Sequence, residues 1–439
     1  MDKVDTILDK VDNFMEFLTV NELEQELERL QRNDLIKINE IGRSQNGYSI
    51  LSAKIGNGIN NALIFGFPHP NEPVGSLTCL SLINALTENE FLRNRFTWHI
   101  IPCADPDGAK LNEGWFKGKF TVEKYAKNFY RSMTPLQTDW TFPLKYKNHI
   151  FNDSPANVIA LAKLIEKTKP QLVYPIHNAG MSGAYFFMTR YFGDKFYKEL
   201  LELCEKLSIP LDMGEPELEI MQEWKKPVYR EFTGKEYHDY YTSVGTEADK
   251  NIGDSSIGYS KNFNHEIIGI IGEIPYFYDK RIEDNDLTKK TRRENIINEI
   301  ASLEKLKIFV NNIISTADLN KNSIFYSLFQ YIVSQWEKVL HTRKKYFEKE
   351  EYAKMATVSQ EFSTNVIPIF RQSLMLGELR RLLVESPNTN KNIKLIKDVD
   401  NAITEKIEFV EKNSEVKIFP IRKLVQLQLG FLLLSLRYF

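Results

Sequence analysis

Apolar residues along the chain fall into three textures. In residues 1–35 they recur every three or four positions among charges, as in "NELEQELERLQRND", which predicts an N-terminal segment of one or two surface helices. Residues 36–285 alternate. The runs "ALIFGF", "FTWHIIPC", "QLVYPI", "AYFFMT" and "IIGIIGEI" have the length and the branched and aromatic content of buried strands. Between them lie helical patterns such as "PVGSLTCLSLINAL" and "SPANVIALAKLIEKT". This alternation predicts an α/β sheet, largely parallel, with helices on both faces. Residues 286–439 are almost wholly helical in pattern and are expected to form a C-terminal all-α domain, interrupted by a loop at "SPNTNKN" (386–392). Its aromatics Phe325, Tyr326, Phe329, Tyr331 and Trp336 are expected in the core.

Composition narrows the picture. With 439 residues and 42% hydrophobic content the chain can bury a sizeable core. A net charge of −2 argues against nucleic acid as a partner, because neutralising phosphates needs a basic excess. Cys79, Cys103 and Cys204 are scattered and odd in number, which fits a reducing cytoplasm better than a disulfide framework. The opening "MDKVDTILDKVDNFMEF" interleaves acidic with apolar residues, unlike a secretory signal. The closing "LVQLQLGFLLLSLRYF" carries Gln426, Gln428 and Arg437 and falls short of the ~20 apolar residues of a span. A docked final helix is expected, and no membrane.

Candidate chemistry lies where apolar runs end. His69 and Glu72 follow "ALIFGF" in "HPNE", and Pro73 then suits the start of a helix. His177 follows "QLVYPI", and Glu273 stands near the end of "IIGIIGEI". Strand ends of open α/β sheets deliver loops to one rim, where ligands collect. Two histidines and a glutamate are a donor set of catalytic zinc, with one position left for water. A further carboxylate within reach can move a proton. An ordinary strand-to-helix turn also accommodates H-x-x-E, and His177 alone fits a rim histidine. Glu273 is harder to place without a function, since an acid late in an apolar strand is costly unless paired or set at an opening. His99, inside a strand, is expected to be structural.

Residues 41–278 resemble the zinc metallocarboxypeptidases, the carboxypeptidase A-like family, in particular its bacterial subgroup. Five segments match in order: "IGRSQNGYSILSAKIG", "HPNE", "IIPCADPDG", "YPIHNAG" and "IIGEIP". The resemblance implies a mixed eight-stranded sheet flanked by helices, and one Zn2+ per chain held by His69, Glu72 and His177. It makes Glu273 the general base and then the proton donor to the leaving amine. It places Lys117, in "EGWFKG", as the cation at the scissile carbonyl. Asn128 and Arg131, in "KNFYRSM", stand for the family's grip on the substrate's terminal carboxylate, and Tyr241, in "YYTSVGTEAD", for its mobile tyrosine. Three features depart from the family: Asn71 replaces an arginine between the first two ligands, Lys117 lacks the fork of an arginine, and Asn128 and Arg131 are separated.

The function expected on this resemblance is a zinc-dependent metallocarboxypeptidase hydrolysing the C-terminal amide bond of a peptide or peptide-like substrate. Asn71 and the missing Asn-Arg pair keep two alternatives open. One is a zinc-dependent deacylase of small N-acyl amino acids, similar to desuccinylases and aspartoacylases; the other is a catalytically silent peptide-binding module. A peptide or amino-acid conjugate is the expected partner. The helical domain is read as a cap over the cleft or as a surface for a homo-oligomer.

Overall fold

The computed structural model describes residues 2–218, 220–243 and 249–439. Among them, nine strands form the main sheet. In chain order they are β1 (Ile36–Arg43), β2 (Ser49–Ile55), β3 (Asn61–Phe65), β4 (Thr97–Ile101), β5 (Leu172–Pro175), β6 (Tyr185–Met188), β7 (Gln222–Lys225), β8 (Val228–Arg230) and β9 (Ile268–Glu273). Across the sheet they run β1-β2-β4-β3-β5-β9-β6-β8-β7. Each apolar run of the central region is a strand.

Two expectations about this sheet are corrected. It has nine strands rather than eight, because β7, "QEWK", is exposed throughout and leaves no hydrophobic signature. The pairing is also less parallel than expected. The block β4-β3-β5-β9 and the pair β6-β8 are parallel, whereas β1-β2, β2-β4, β9-β6 and β8-β7 are antiparallel. The parallel block matters for function: β3, β5 and β9 all end on one rim.

Strand pleating divides the core. Along β3, Ala62 and Ile64 join one cluster and Leu63 and Phe65 the other, all fully buried. The first face is covered by helices Val74–Glu88, Asp194–Leu207 and Ile421–Ser435, the second by Ala156–Thr168. Ahead of the sheet, Val20–Leu30 starts at a Thr19/Glu22 capping box and buries Val20, Leu23, Leu27 and Leu30.

Beyond the sheet come helices Arg292–Thr316, Ile324–Lys345, Ile367–Val384 and Asn390–Lys412. The last begins inside the expected loop because Thr389 accepts a bond from the Asn392 N–H and caps it. Phe325, Phe329 and Trp336 are buried as expected, while Tyr331 reaches out to Asp249 at 2.8 Å. Helix Ile367–Val384 packs against Val122–Asn128 so closely that a Cβ at Gly377 would overlap the Ala126 carbonyl. The final helix, Ile421–Ser435, leaves this layer and returns to the sheet. Among the described residues no helix is long and apolar enough to cross a membrane.

Candidate metal centre

β3 hands the chain to the link that carries His69 and Glu72. Phe67, buried in that link, has φ of 53°, a left-handed conformation that costs a non-glycine residue roughly 1–3 kcal/mol. Glu72 sits just before the Val74–Glu88 helix. β5 delivers His177 two residues past its end, and Glu273 is the last residue of β9. One ligand atom from each of His69, Glu72 and His177 lies within 4.8 Å of the others, and all three residues are buried. His177 Nδ1 stands 3.1 Å from Glu72 Oε2 and 3.7 Å from Glu273 Oε1.

Three atoms of this group have no hydrogen-bond partner among the described residues: His69 Nδ1, Glu72 Oε2 and His177 Nδ1. Two of the opposite atoms are held. His177 Nε2 faces Asp139 Oδ2 at 3.2 Å, and Asp139 Oδ1 accepts the Ser256 N–H at 2.8 Å. Glu72 Oε1 accepts from Arg131 Nη1 at 3.1 Å. Carboxylate-braced histidine and a braced carboxylate are the usual surroundings of metal ligands. Two imidazole nitrogens and a carboxylate oxygen, buried, convergent and without hydrogen bonds among the described residues, are a zinc donor set, and the residues present fit the ion.

Charge follows the same geometry. Burial, with Arg131 and His177 nearby, holds the His69 imidazole well below its ordinary value. Burial opposes the charge on His177 too, but Glu72, Asp139 and Glu273 carry its value well above the ordinary one. Burial pushes the Glu273 carboxyl up to about 8; His177 opposes that rise and Glu72 adds to it. The site is thus a carboxyl poised near neutrality beside an anion-lined hole for a cation.

A cavity of about 260 Å³ opens in front, lined by His69, His177, Glu273 and Arg131. Among the described residues Arg131 is the only arginine or lysine on its wall. Among the described residues those lining it all precede 286. That layer instead closes an adjoining cavity of about 510 Å³, which shares Glu217 and Met221 with the first.

Three expected site residues lie elsewhere. Lys117 is turned toward the N-terminal helix, its Nζ 2.7 Å from Glu22 Oε2, because neighbouring Trp115 is fully buried against Phe17. Asn128 ends the Val122–Asn128 helix, donates to Lys124 O at 2.9 Å and does not line the cavity. Tyr241 stacks on Tyr237 at 4.5 Å, and it is Tyr237, one turn earlier on the same helix, that lines the cavity. Gly245 of that match lies outside the described residues. Arg131 does reach the cavity, paired with Glu72.

Other buried groups brace the centre without sequence warning. Gln428, on the final helix, donates to His177 O at 2.5 Å and Gly272 O at 2.9 Å, and accepts from the Tyr174 hydroxyl. Glu378 Oε1 accepts the Arg131 N–H at 2.8 Å, and Arg381 donates to the carbonyls of Leu111, Asn128 and Phe129.

A family model described as zinc carboxypeptidase matches residues 23–273. Among solved structures, carboxypeptidase A from Helicoverpa armigera is 13% identical, with 63% of this chain and 71% of that one covered, at a TM-score of 0.40. Bovine thrombin-activatable fibrinolysis inhibitor, solved in complex with tick carboxypeptidase inhibitor, is 12% identical, covering 58% and 86%, at 0.38. A metallo-carboxypeptidase from Burkholderia cenocepacia is 14% identical, covering 61% of each chain, at 0.34. No curated protein matches the chain.

Proposed function

The chain belongs to the zinc carboxypeptidase family, and from that premise we propose that it hydrolyses the C-terminal amide bond of a peptide or peptide-like substrate. The observation that carries this reading is the convergence of three unpartnered ligand atoms beside Glu273 at the mouth of a cavity. His69, Glu72 and His177 would hold one zinc ion. Zinc, when bound there, supplies a Lewis acid toward a carbonyl and acidifies water.

The protein's own groups do the rest. Glu273 takes a proton from water as its oxygen bonds to the scissile carbon, then gives that proton to the departing nitrogen as the C–N bond breaks. Arg131 spends Nη1 on Glu72 and Asn71. Its remaining guanidinium nitrogens face no partner among the described residues and suit the substrate's terminal carboxylate. The three cysteines are free, in keeping with a cytoplasmic location.

The cavity's small volume also favours a second reading, a deacylase of small N-acyl amino acids. One screen separates the two. Purified protein is analysed for metal, then offered free and C-terminally amidated peptides alongside N-acyl amino acids, with products read by mass spectrometry. The peptidase reading expects zinc near one per chain and trimming that requires a free terminus. Full activity of a metal-free preparation, or turnover of N-acyl amino acids alone, would overturn it.

A further inference from the structure

The helical layer walls a cavity of about 800 Å³, lined among the described residues only by positions from Arg281 to Asn413. All of them lie beyond the segment that the family model matches, and none lines the cavity in front of the metal centre. The volume falls within the ~300–1,000 Å³ of small-molecule pockets.

Four cations line it among the described residues: Arg281, Lys290, Lys305 and Lys406. Two of them are engaged. Arg281 donates to both oxygens of Asp279, at 3.0 and 2.7 Å, and to the Asn413 carbonyl. Lys290 pairs with Glu361 at 2.7 Å. Lys305 and Lys406 make no hydrogen bond or ion pair among the described residues. They reach the cavity from two helices, Arg292–Thr316 and Asn390–Lys412. Of the acids on the wall, Glu361 is held by Lys290, and Glu299 by Arg343 at 3.3 Å. Glu405, the chain neighbour of Lys406, acts on it through its field alone. Burial pulls the Lys406 ammonium below its ordinary value; Glu405 opposes that fall and Lys305 adds to it. Two like charges on one cavity repel unless an anion joins them.

The walls narrow the kind of anion. An ammonium is a compact point charge that suits a phosphate oxygen, whereas a carboxylate is gripped best by an arginine fork. The one arginine on this wall among the described residues is already committed to Asp279. Phe362, Val366, Ile369 and Phe409 add an apolar surface, and Phe409 is 41% exposed. A bare ion leaves that surface uncovered, and an anion with an organic body covers it.

We propose that this cavity binds a small phosphate ester, its phosphate held by Lys305 and Lys406 and its organic group laid on Phe362 and Phe409. The site stands apart from the metal centre and does not depend on the hydrolase reading.

The test titrates the zinc-loaded full chain by calorimetry at low salt, with phenyl phosphate as the probe. Phenol, benzoate and inorganic phosphate are the controls. The native protein binds phenyl phosphate about tenfold or more tightly than any control. Lys305→Gln and Lys406→Gln each weaken that binding by about tenfold, with the unliganded Tm kept. A second measurement needs no variant. Saturating phenyl phosphate slows acetylation of Lys305 and Lys406 in the native protein, read by mass spectrometry, and leaves other exposed lysines at their unliganded rate. Native protein without saturable binding of the ester overturns the assignment, and so does an ester bound no better than inorganic phosphate. An affinity that either variant leaves unchanged also overturns it, since the ester then sits elsewhere, the metal centre included. Should a variant fail to fold, the acetylation rates decide: no protection at the two lysines removes the site.

Discussion

The two sides of the ligand-bearing rim differ in how their buried polar atoms are satisfied. Behind it, Gln428 is fully buried and bonded to His177 O, Gly272 O and Tyr174, while Glu378 and Arg381 bond the backbone around Arg131. In front, His69 Nδ1, Glu72 Oε2 and His177 Nδ1 are as buried and make no hydrogen bond among the described residues, although His177 Nδ1 and Glu72 Oε2 stand 3.1 Å apart. An unpaired buried polar group costs about 1–3 kcal/mol. Three at one point is a hole shaped for an ion, whereas complete pairing marks scaffold. The difference separates residues that act from residues that hold.

The largest expected effect lies in front. Glu273→Gln lowers kcat/KM about 1,000-fold with zinc content unchanged, as read by kinetics and metal analysis. Activity within tenfold of native would break the contrast. Next, Asp139→Asn weakens the hold on His177 Nε2 and lowers zinc affinity about 10- to 100-fold in a chelator competition. Behind the rim the signature changes. Gln428→Leu strands the carbonyls of His177 and Gly272, so Tm falls by a few degrees, the equivalent of about 1–3 kcal/mol. A large loss of activity without a fall in Tm would contradict its assignment as scaffold.

The smallest effect is a pH dependence. Burial pushes the Glu378 carboxyl up to about 8, above its ordinary 4.5. The folded protein therefore binds more protons than the unfolded between these values. Stability from this group is complete below about 4.5 and lost as pH rises through about 8. Glu378→Gln removes that slope, so the variant's Tm gains a few degrees on the native protein between pH 5 and 8.

What the sequence made legible follows from burial. β3, β5 and β9 are covered on both faces, so they read as unbroken apolar runs, and the first polar residues after them had to stand at the rim. That reasoning located His69, Glu72, His177 and Glu273. It had no purchase on Lys117, since the order of matching segments says nothing about which way the turn beside Trp115 faces. Of the two tyrosines one helical turn apart, it is Tyr237 rather than Tyr241 that lines the cavity, and residues four apart share a face, so the pattern alone did not choose between them. Asp139 sits in a short turn with no periodicity, and β7 has no buried face. Gln428 looked like a polar interruption of an apolar helix; its partner His177 lies 251 residues earlier.

That separation puts the centre on a timetable. Gln428 follows Gly272 by 156 residues, which a ribosome adding ~5–20 residues per second needs roughly 8–30 s to cover. Throughout that interval every residue of the ion's cage has been made, yet the clasp behind two of its loops has not. A nascent chain thus carries its candidate metal ligands ahead of their brace, and the bonds to His177 O and Gly272 O wait on translation of the last helix.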